Sequence, residues 1–301
     1  MNQAVQNTNV PGKEPGWMKR PAFDREEWIH QKNADRQKAF ELIDEATELA
    51  AADTDRLKTY LDVQSRFPRY SVGNALLVSV QKPDATRILD FKGWRDIGVH
   101  IKRGENAIIL MEPGKSYTRE DGSTGVYYNT KRVFDITQTT SYMLRDRSAD
   151  RDPGTLIREL DSLAPCEVRT DGEGRLPEGM CAYYDPEEGV LYAAQDLTGP
   201  GCFRGTAREL AHAHLHLDSE DYSREACEFS AECVAYMLCR RCGVDTAGFV
   251  FDEPPQEYQI MELRDIRSRF GLMRRISNII VADMDRLNAM QQESAVRDEA
   301  R

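Results

Sequence analysis

The stretch 206-TARELAHAHLHLD-218 sets the terms for the second half of the chain. It nearly spells H-E-x-x-H, a pattern whose logic is helical. Residues four apart lie on one helix face, so two imidazoles can grip one metal ion. A Glu beside the first imidazole can polarise the water on that ion. Here Glu209 and His212 stand where the pattern wants them, but Arg208 holds the place of the first ligand. A guanidinium is cationic at every accessible pH and has no lone pair to offer, so it cannot ligate and it repels the ion.

A third ligand would come from a later helix, and 223-SREACEFSAECVAYMLCRRCG-243 is that helix. Glu228 and Glu232 lie one turn apart on it and can face the same neighbour. Three readings follow. Arg208 can pair with Glu228 or Glu232 and fill the vacated site, which leaves it inert. Alternatively His212 and His216, also four apart, can hold a metal with Glu228 one turn further along. That shifted site lacks a neighbouring carboxylate, because Ala213 follows His212, and Glu209 would have to serve as general base from one turn behind. In the third reading the peptide-cutting chemistry survives. Zinc is the metal such a centre would take, lost or weakly held with Arg208 in place. His214 lies off this face.

The first half carries a different signal. Residues 66-RFPRYSVGNALLVSVQKPDATRILDFKGWRDIGVHIKRGENAIILMEP-113 set Arg66, Arg69, Arg87, Lys92, Arg95, Lys102 and Arg103 among Phe67, Tyr70, Phe91 and Trp94. Single-stranded nucleic acid is bound by such a mixture, cations along the phosphates and aromatic faces under the bases. The same residues also suit a core strip with solvated basic neighbours. Charge is uneven along the chain: residues 56–132 carry a net +6 and residues 143–301 a net −12, within an overall −11. An anionic partner is therefore expected for the first part alone.

Periodicity and turn residues organise the rest. A helix is expected over 22–52, and a second one carries Leu57, Tyr60, Leu61 and Val63. A buried helical stretch follows from Asn74 to Val80, ended by Pro83. Short strands with turns are expected over 86–112. A hairpin tip is expected at 121-DGSTG-125, with an alternating strand after it. Residues 143–154 are charged, carry Pro and Gly, and read as a linker. A short helix over 155–163 leads to strands at 180–185 and 189–194. Helices over 202–217, 223–242 and 256–292 close the chain, the last broken or kinked near Gly271 and offering Ile276, Ile279, Ile280, Met284, Leu287 and Met290 at helical spacing.

Bulk properties narrow the class. Hydrophobic residues make up 40% of 301, which supports a globular chain with room for two domains. No apolar run is long enough for a membrane span, and the first residues have no apolar core of a signal peptide. Seven cysteines without framework spacing suggest reduced thiols and a cytoplasmic location. Cys239 and Cys242 end a helix rather than begin one, which suits buried thiols better than a redox pair. The G-P-G at 199–201 does not make a phosphate-binding loop of the G-x-x-x-x-G-K-[ST] kind.

Five stretches in order, Y-S-x-x-N-x-L-L from Tyr70, Q-x-P-x-A from Gln81, G-W from Gly93, K-x-G-E from Lys102 and V-F-D-x-x-Q-T from Val133, together resemble the N-terminal domain of ArdC-type antirestriction proteins. R-E-L-A-H followed by E-x-x-A-E resembles the metallopeptidase-like domain that follows it in that family, and ImmA/IrrE-type peptidases as well. The resemblance spans about residues 55–245. It implies an α+β fold in two domains: a flexible lead over 1–21, a single-stranded-DNA-binding domain over 22–142, the linker at 143–154, a mainly helical zincin-like domain with a small sheet over 155–292, and a disordered tail over 293–301. It implies a DNA-binding protein of a mobile genetic element, acting against restriction, with an inactive peptidase-like part that could still hold a protein or peptide in its cleft. The rival is a zinc-dependent peptidase acting on a host or regulatory protein through His212, His216 and Glu228. In gluzincin-type sites the paired carboxylates divide the work, so Glu228 takes the ligand role and Glu232 orients a ligand His. Arg66, Arg69, Tyr70, Asn74, Trp94, Lys102 and Arg103 are the expected DNA contacts.

Overall fold

The computed structural model describes residues 25–119, 121–141, 152–172, 174–195, 198–249, 251 and 253–299. Three helices come first. Helix α1, Arg25–Ala52, buries Ala39, Ile43, Ala46 and Ala50 along one stripe. The side chain of Asp53 caps α2, Thr54–Arg66, and the expected Leu57, Tyr60, Leu61 and Val63 are buried on it. Ser71 caps α3, Val72–Gln81, which is so apolar that it packs on several sides at once: on α1, α2 and the first sheet.

That sheet is antiparallel with order β1-β3-β2, from β1 (Ile88–Asp90), β2 (Ile108–Thr118) and β3 (Thr124–Asp135). Its hairpin tip falls where the turn residues placed it. Strand β2 is an edge, and bare edges invite pairing with other chains. Helix α3 covers it with two amides. Asn74 Nδ2 donates to Met111 O and Asn74 Oδ1 accepts from Met111 N, both at 2.8 Å. Gln81 does the same to Ile109, both at 2.9 Å. Each amide imitates a neighbouring strand.

Residues 91–96 depart from the strand reading. They form a short helix, α4 (Phe91–Asp96), because the Asp90 side chain accepts from Gly93 N at 2.7 Å and caps it. The V-F-D-x-x-Q-T stretch closes this half. Asp135 is fully buried and accepts from the backbone N–H of Thr86, Arg87 and Thr137. Burial pushes its carboxyl up, but these bonds outweigh burial and hold it below the usual carboxylate range.

In the second half, α5 (Pro153–Ser162) precedes a small sheet of order β4-β6-β5. Strand β4 (Glu167–Thr170) runs parallel to β6 (Val190–Ala193), and β5 (Ala182–Asp185) runs antiparallel to it. Helices α6 (Gly199–Asp218), α7 (Arg224–Cys242) and α8 (Leu263–Glu299) follow. Helix α8 does not break at Gly271. A Cβ there would make only an ordinary contact with Val72 of α3, so packing does not require the glycine. Ile276, Ile280 and Met284 of α8 are buried, whereas Ile279 and Met290 are exposed. The helix begins at Leu263 rather than 256 and continues through 293–299, where a disordered tail was expected.

The two halves share one buried cluster that runs from α1–α3 to α6–α8. Tyr60 stacks on Phe270 with ring centres 4.9 Å apart. Asp62 of α2 accepts from Tyr236 Oη at 2.7 Å and pairs with Arg240 Nε at 2.9 Å, both on α7. The lead over 1–21 and most of the expected linker at 143–154 lie outside the described residues. Cys181 and Cys202 form a disulfide, contrary to the all-thiol expectation, because the approach to β5 and the first turn of α6 bring their Cα atoms to 5.2 Å. Cys239 is a buried thiol, as expected. Among the described residues no helix is long and apolar enough to cross a membrane.

The amide clamp has a measurable weight. Asn74→Ala strands the Met111 N–H and C=O, and is expected to lower the unfolding free energy by about 2 kcal/mol. Asn74→Asp, which cannot donate, is expected to lose a comparable amount. Urea denaturation of the variants checks both.

Candidate functional site

Helices α6 and α7 lie side by side and bring the expected residues to one place. Glu209 is fully buried on α6. Arg224 Nη2 donates to both of its oxygens, at 2.6 and 2.7 Å. Tyr184 N adds a bond at 2.9 Å, and Arg208 Nη2 stands 3.3 Å away. Tyr184 O accepts from Arg224 Nη1 at 3.2 Å, so both backbone groups of that β5 residue are taken from inside the protein. Burial works against the Arg224 cation, and Glu209 outweighs it, so the guanidinium is held above its ordinary value.

Arg208 bridges two carboxylates instead of making a fork with one. Its Nη1 lies 3.2 Å from Glu228 and its Nη2 faces Glu209. His212 is fully buried between Glu228, 3.1 Å from Nε2, and the Tyr222 hydroxyl, 3.0 Å from Nδ1. An ionised carboxylate only accepts, so His212 Nε2 donates to Glu228, and Nδ1 shares a hydrogen bond with the Tyr222 hydroxyl. The bond from His212 is the largest influence on Glu228; burial opposes it and Arg208 adds to it, and the carboxyl lies below its usual range. Burial pushes the Tyr222 phenol up.

His216 is turned elsewhere. Its Nδ1 meets the Tyr184 hydroxyl at 2.8 Å, and its ring stacks on Tyr222 at 4.6 Å. The shifted set of His212, His216 and Glu228 is thus not gathered at one point. Among the described residues no group of three or more His, Cys, Asp or Glu is placed to hold a metal ion. The donor set lacks a ligand for zinc, because a guanidinium with no lone pair stands in the first ligand's place. Glu232 lies with Arg208 in the wall of a cavity at the head of α6.

The expected DNA contacts divide. Trp94 is fully buried and its Nε1 donates to Phe134 O at 2.8 Å, so it is core and cannot stack on a base. Asn74 is the clamp on β2. Arg66 is half-buried, donates to Asp62 O within α2 and ties that helix to the turn after α3 by donating to Pro83 O. Tyr70 is partly buried on Phe67 at 5.1 Å. Lys102 donates to Thr137 O at 2.9 Å. Arg69 and Arg103 are exposed.

The aromatic left to solvent in this segment is Phe91, 61% exposed, with Ile97 beside it at 50%. Lys92 and Arg95 on the same short helix are also exposed. By composition Phe91 and Trp94 are equivalents. The cap at Asp90 sets the phase of α4 and decides which ring turns inward. On the β2–β3 hairpin the exposed Tyr127 packs against the half-buried Tyr117, with ring centres 4.3 Å apart. Gly125 makes room for it, since a Cβ there would come within 2.4 Å of the Tyr117 ring.

Removing Arg224 leaves Glu209 charged and underpaired in a dry place. Arg224→Met is expected to cost about 3 kcal/mol. Adding Glu209→Gln to that variant should recover most of the loss, which a double-mutant cycle of denaturation midpoints measures.

No family model matches the chain. It shares its fold with the antirestriction protein ArdC of plasmid R388: the metal-free crystal structure aligns with a TM-score of 0.50 at 18% identity, over 72% of this chain and 86% of that one. The Mn(II)-bound crystal structure of the same protein aligns with a TM-score of 0.49 at 18% identity, over 71% and 85%. The α+β class expected from sequence is the class of that fold. An uncharacterized protein of Bacillus anthracis, pXO2-81, is 24% identical over 243 residues, covering 61% of this chain. The chain spans 40% of that relative's length.

Proposed function

We propose that this chain is an ArdC-type antirestriction protein of a mobile genetic element, which binds single-stranded DNA with its first half and carries a metallopeptidase-like second half that does not cleave. The observation that carries the second part is the state of Glu209. A general base needs a lone pair aimed at a water molecule. Both oxygens of Glu209 are held by Arg224, a backbone N–H and the flank of Arg208 in a fully buried place. This carboxylate is spent on its neighbours, with both oxygens engaged by protein donors.

The shared fold and the surface of α4 support the first part. Phe91 offers one open ring face, and Lys92, Arg95, Arg103 and Arg69 are exposed cations of the same half. Stacking of a base on such a ring is worth roughly 1–3 kcal/mol, and the cations track phosphates at a cost in salt sensitivity. The location that goes with this reading is the cytoplasm, where transferred DNA meets restriction.

Anisotropy of a labelled oligonucleotide tests the DNA part. Phe91→Ala and Arg95→Ala are each expected to weaken binding by about 5- to 10-fold with the fold intact. Trp94→Ala should instead destabilise the protein by about 3–5 kcal/mol. Binding that is absent at low salt, or indifferent to salt, sinks the proposal.

Metal analysis tests the other part. Purified wild-type protein offered zinc should retain less than a stoichiometric amount. Arg208→His, which restores the missing donor, should gain about one equivalent. Stoichiometric zinc in the wild type that is lost in His212→Ala would return the peptidase to the front.

A further inference from the structure

The outer part of the β2–β3 hairpin, residues 113–129, is a two-stranded ribbon with no core of its own. Among its described residues Gly125 is buried, Tyr117 is half-buried and the rest are exposed. It is closely built all the same. A Cβ at Gly114 would come within 2.7 Å of the Asn129 amide, and one at Gly125 would run into the Tyr117 ring. Tyr117 therefore lies over bare backbone. The Arg119 guanidinium stands 5.9 Å from the centre of that ring and donates to Ser123 Oγ at 3.0 Å, which closes the tip. Tyr127 packs on Tyr117 from the other strand and is still 51% exposed. Two glycines and a half-buried ring thus serve to hold one tyrosine out in water.

The face that shows Tyr127 leads back to α4. Side chains alternate along a strand, so Tyr127, Asn129 and Lys131 share one face of β3. Lys131 Nζ meets Asp90 at 3.0 Å and Glu112 at 3.8 Å. Asp90 is the cap of α4 and the neighbour of the exposed Phe91. The two carboxylates at this junction are thus met by Lys131. Exposed cations lie on either side of it: Lys92 and Arg95 on α4, and Lys115 in the bulge opposite Tyr127. Residues 113–132 carry a net +2 in a chain of net −11. Four residues of strand, at about 3.3 Å each, set Tyr127 about 13 Å beyond Lys131. That is about four nucleotides of a stacked strand at about 3.4 Å each.

We propose that the β2–β3 ribbon is a second station for single-stranded DNA. A strand with one base on Phe91 runs along this face of β3, past the Lys131 junction, and stacks another base on Tyr127 with Lys115 at its phosphates. An aromatic face takes any base, and cations beside it track the backbone. Tyr128 and Val126, also exposed, stand on the opposite face of β3 and take no part. The inference rests on the DNA reading of α4 and adds to it an occupied length and a direction, from α4 toward the hairpin tip.

Anisotropy of labelled oligothymidines of about six to fifteen nucleotides, with the full chain, tests it. Tyr127→Ala is expected to weaken the longest strand about 5- to 10-fold, and the loss should fade as the strand becomes too short to span both rings. The loss from Phe91→Ala should persist at every length. Tyr127→Phe keeps the ring and should restore affinity, and Tyr128→Ala, equally a lost tyrosine of β3, should change nothing. Lys115→Ala should lower the slope of log affinity against log salt by about 0.7. If Tyr127→Ala unsettles the hairpin, Tyr127→Phe and Lys115→Ala decide. The proposal is overturned, with the α4 reading spared, if Phe91→Ala weakens binding and Tyr127→Ala does not. It is overturned as well if Tyr127→Ala and Tyr128→Ala act alike, if the Tyr127 loss is the same at every length, or if a duplex binds through Tyr127 as tightly as the single strand. Absence of salt-sensitive binding to any oligonucleotide removes the α4 reading and this track together.

Discussion

A fully buried carboxylate needs partners, and the second half of this fold is built around supplying them to Glu209. An isolated charge in such a place costs several kcal/mol even after relaxation. Arg224 reaches it from the start of α7, Tyr184 from the edge of β5, and Arg208 from one residue away on α6. Helix, strand and second helix are thereby tied to one atom pair. Arg208 then passes charge on to Glu228, and Glu228 fixes the ring of His212. The alternating charges of Arg224, Glu209, Arg208 and Glu228 thus neutralise one another within the fold.

The same economy governs the joint between the halves. Helix α8 lies across α1, α3, α6 and α7, with Gly271 facing Val72 of α3. Asp62 adds a polar lock on α7 through Tyr236 and Arg240. These contacts make the first half's helices part of the same buried cluster as α6–α8. Several residues of the resembling motifs turn out to serve that scaffold. Asn74 and Gln81 cover a strand edge, Asp135 gathers three backbone N–H groups, and Gln138 accepts from Asp135 N at 2.9 Å. Polar side chains in a motif are as readily spent on buried backbone as on a ligand.

Much of the element order was legible in the sequence: the helices around Leu57 and Asn74, the hairpin tip at 121–125, the strands on either side of Asp185, and the pair α6 and α7 all follow from periodicity and turn residues. That Arg208 would pair with Glu228 or Glu232 was also legible from helical spacing and charge; the structure chose Glu228 and added Glu209. Position 91–96 was misread, since a strand-like run says nothing of an Asp90 side chain capping its own successor. The break at Gly271 was misread for a related reason. Glycine weakens a helix locally, but packing of α8 on α3 and α7 carries the helix through Gly271.

What the sequence by itself determined is chemistry: which groups carry charge, which can ligate, which can stack, and that an arginine stands where a lone pair was wanted. What only the tertiary structure decided is which of those groups are spent. Phe91 and Trp94 have the same claim to a base until the Asp90 cap turns one inward. Arg224 has no motif to mark it, yet it holds Glu209 more tightly than Arg208 does. Glu209 could be a base or a brace until burial and two guanidinium groups make it a brace. The physical reason is the same in each case. Burial and partner geometry are sums over residues distant in the chain, and no local window contains them.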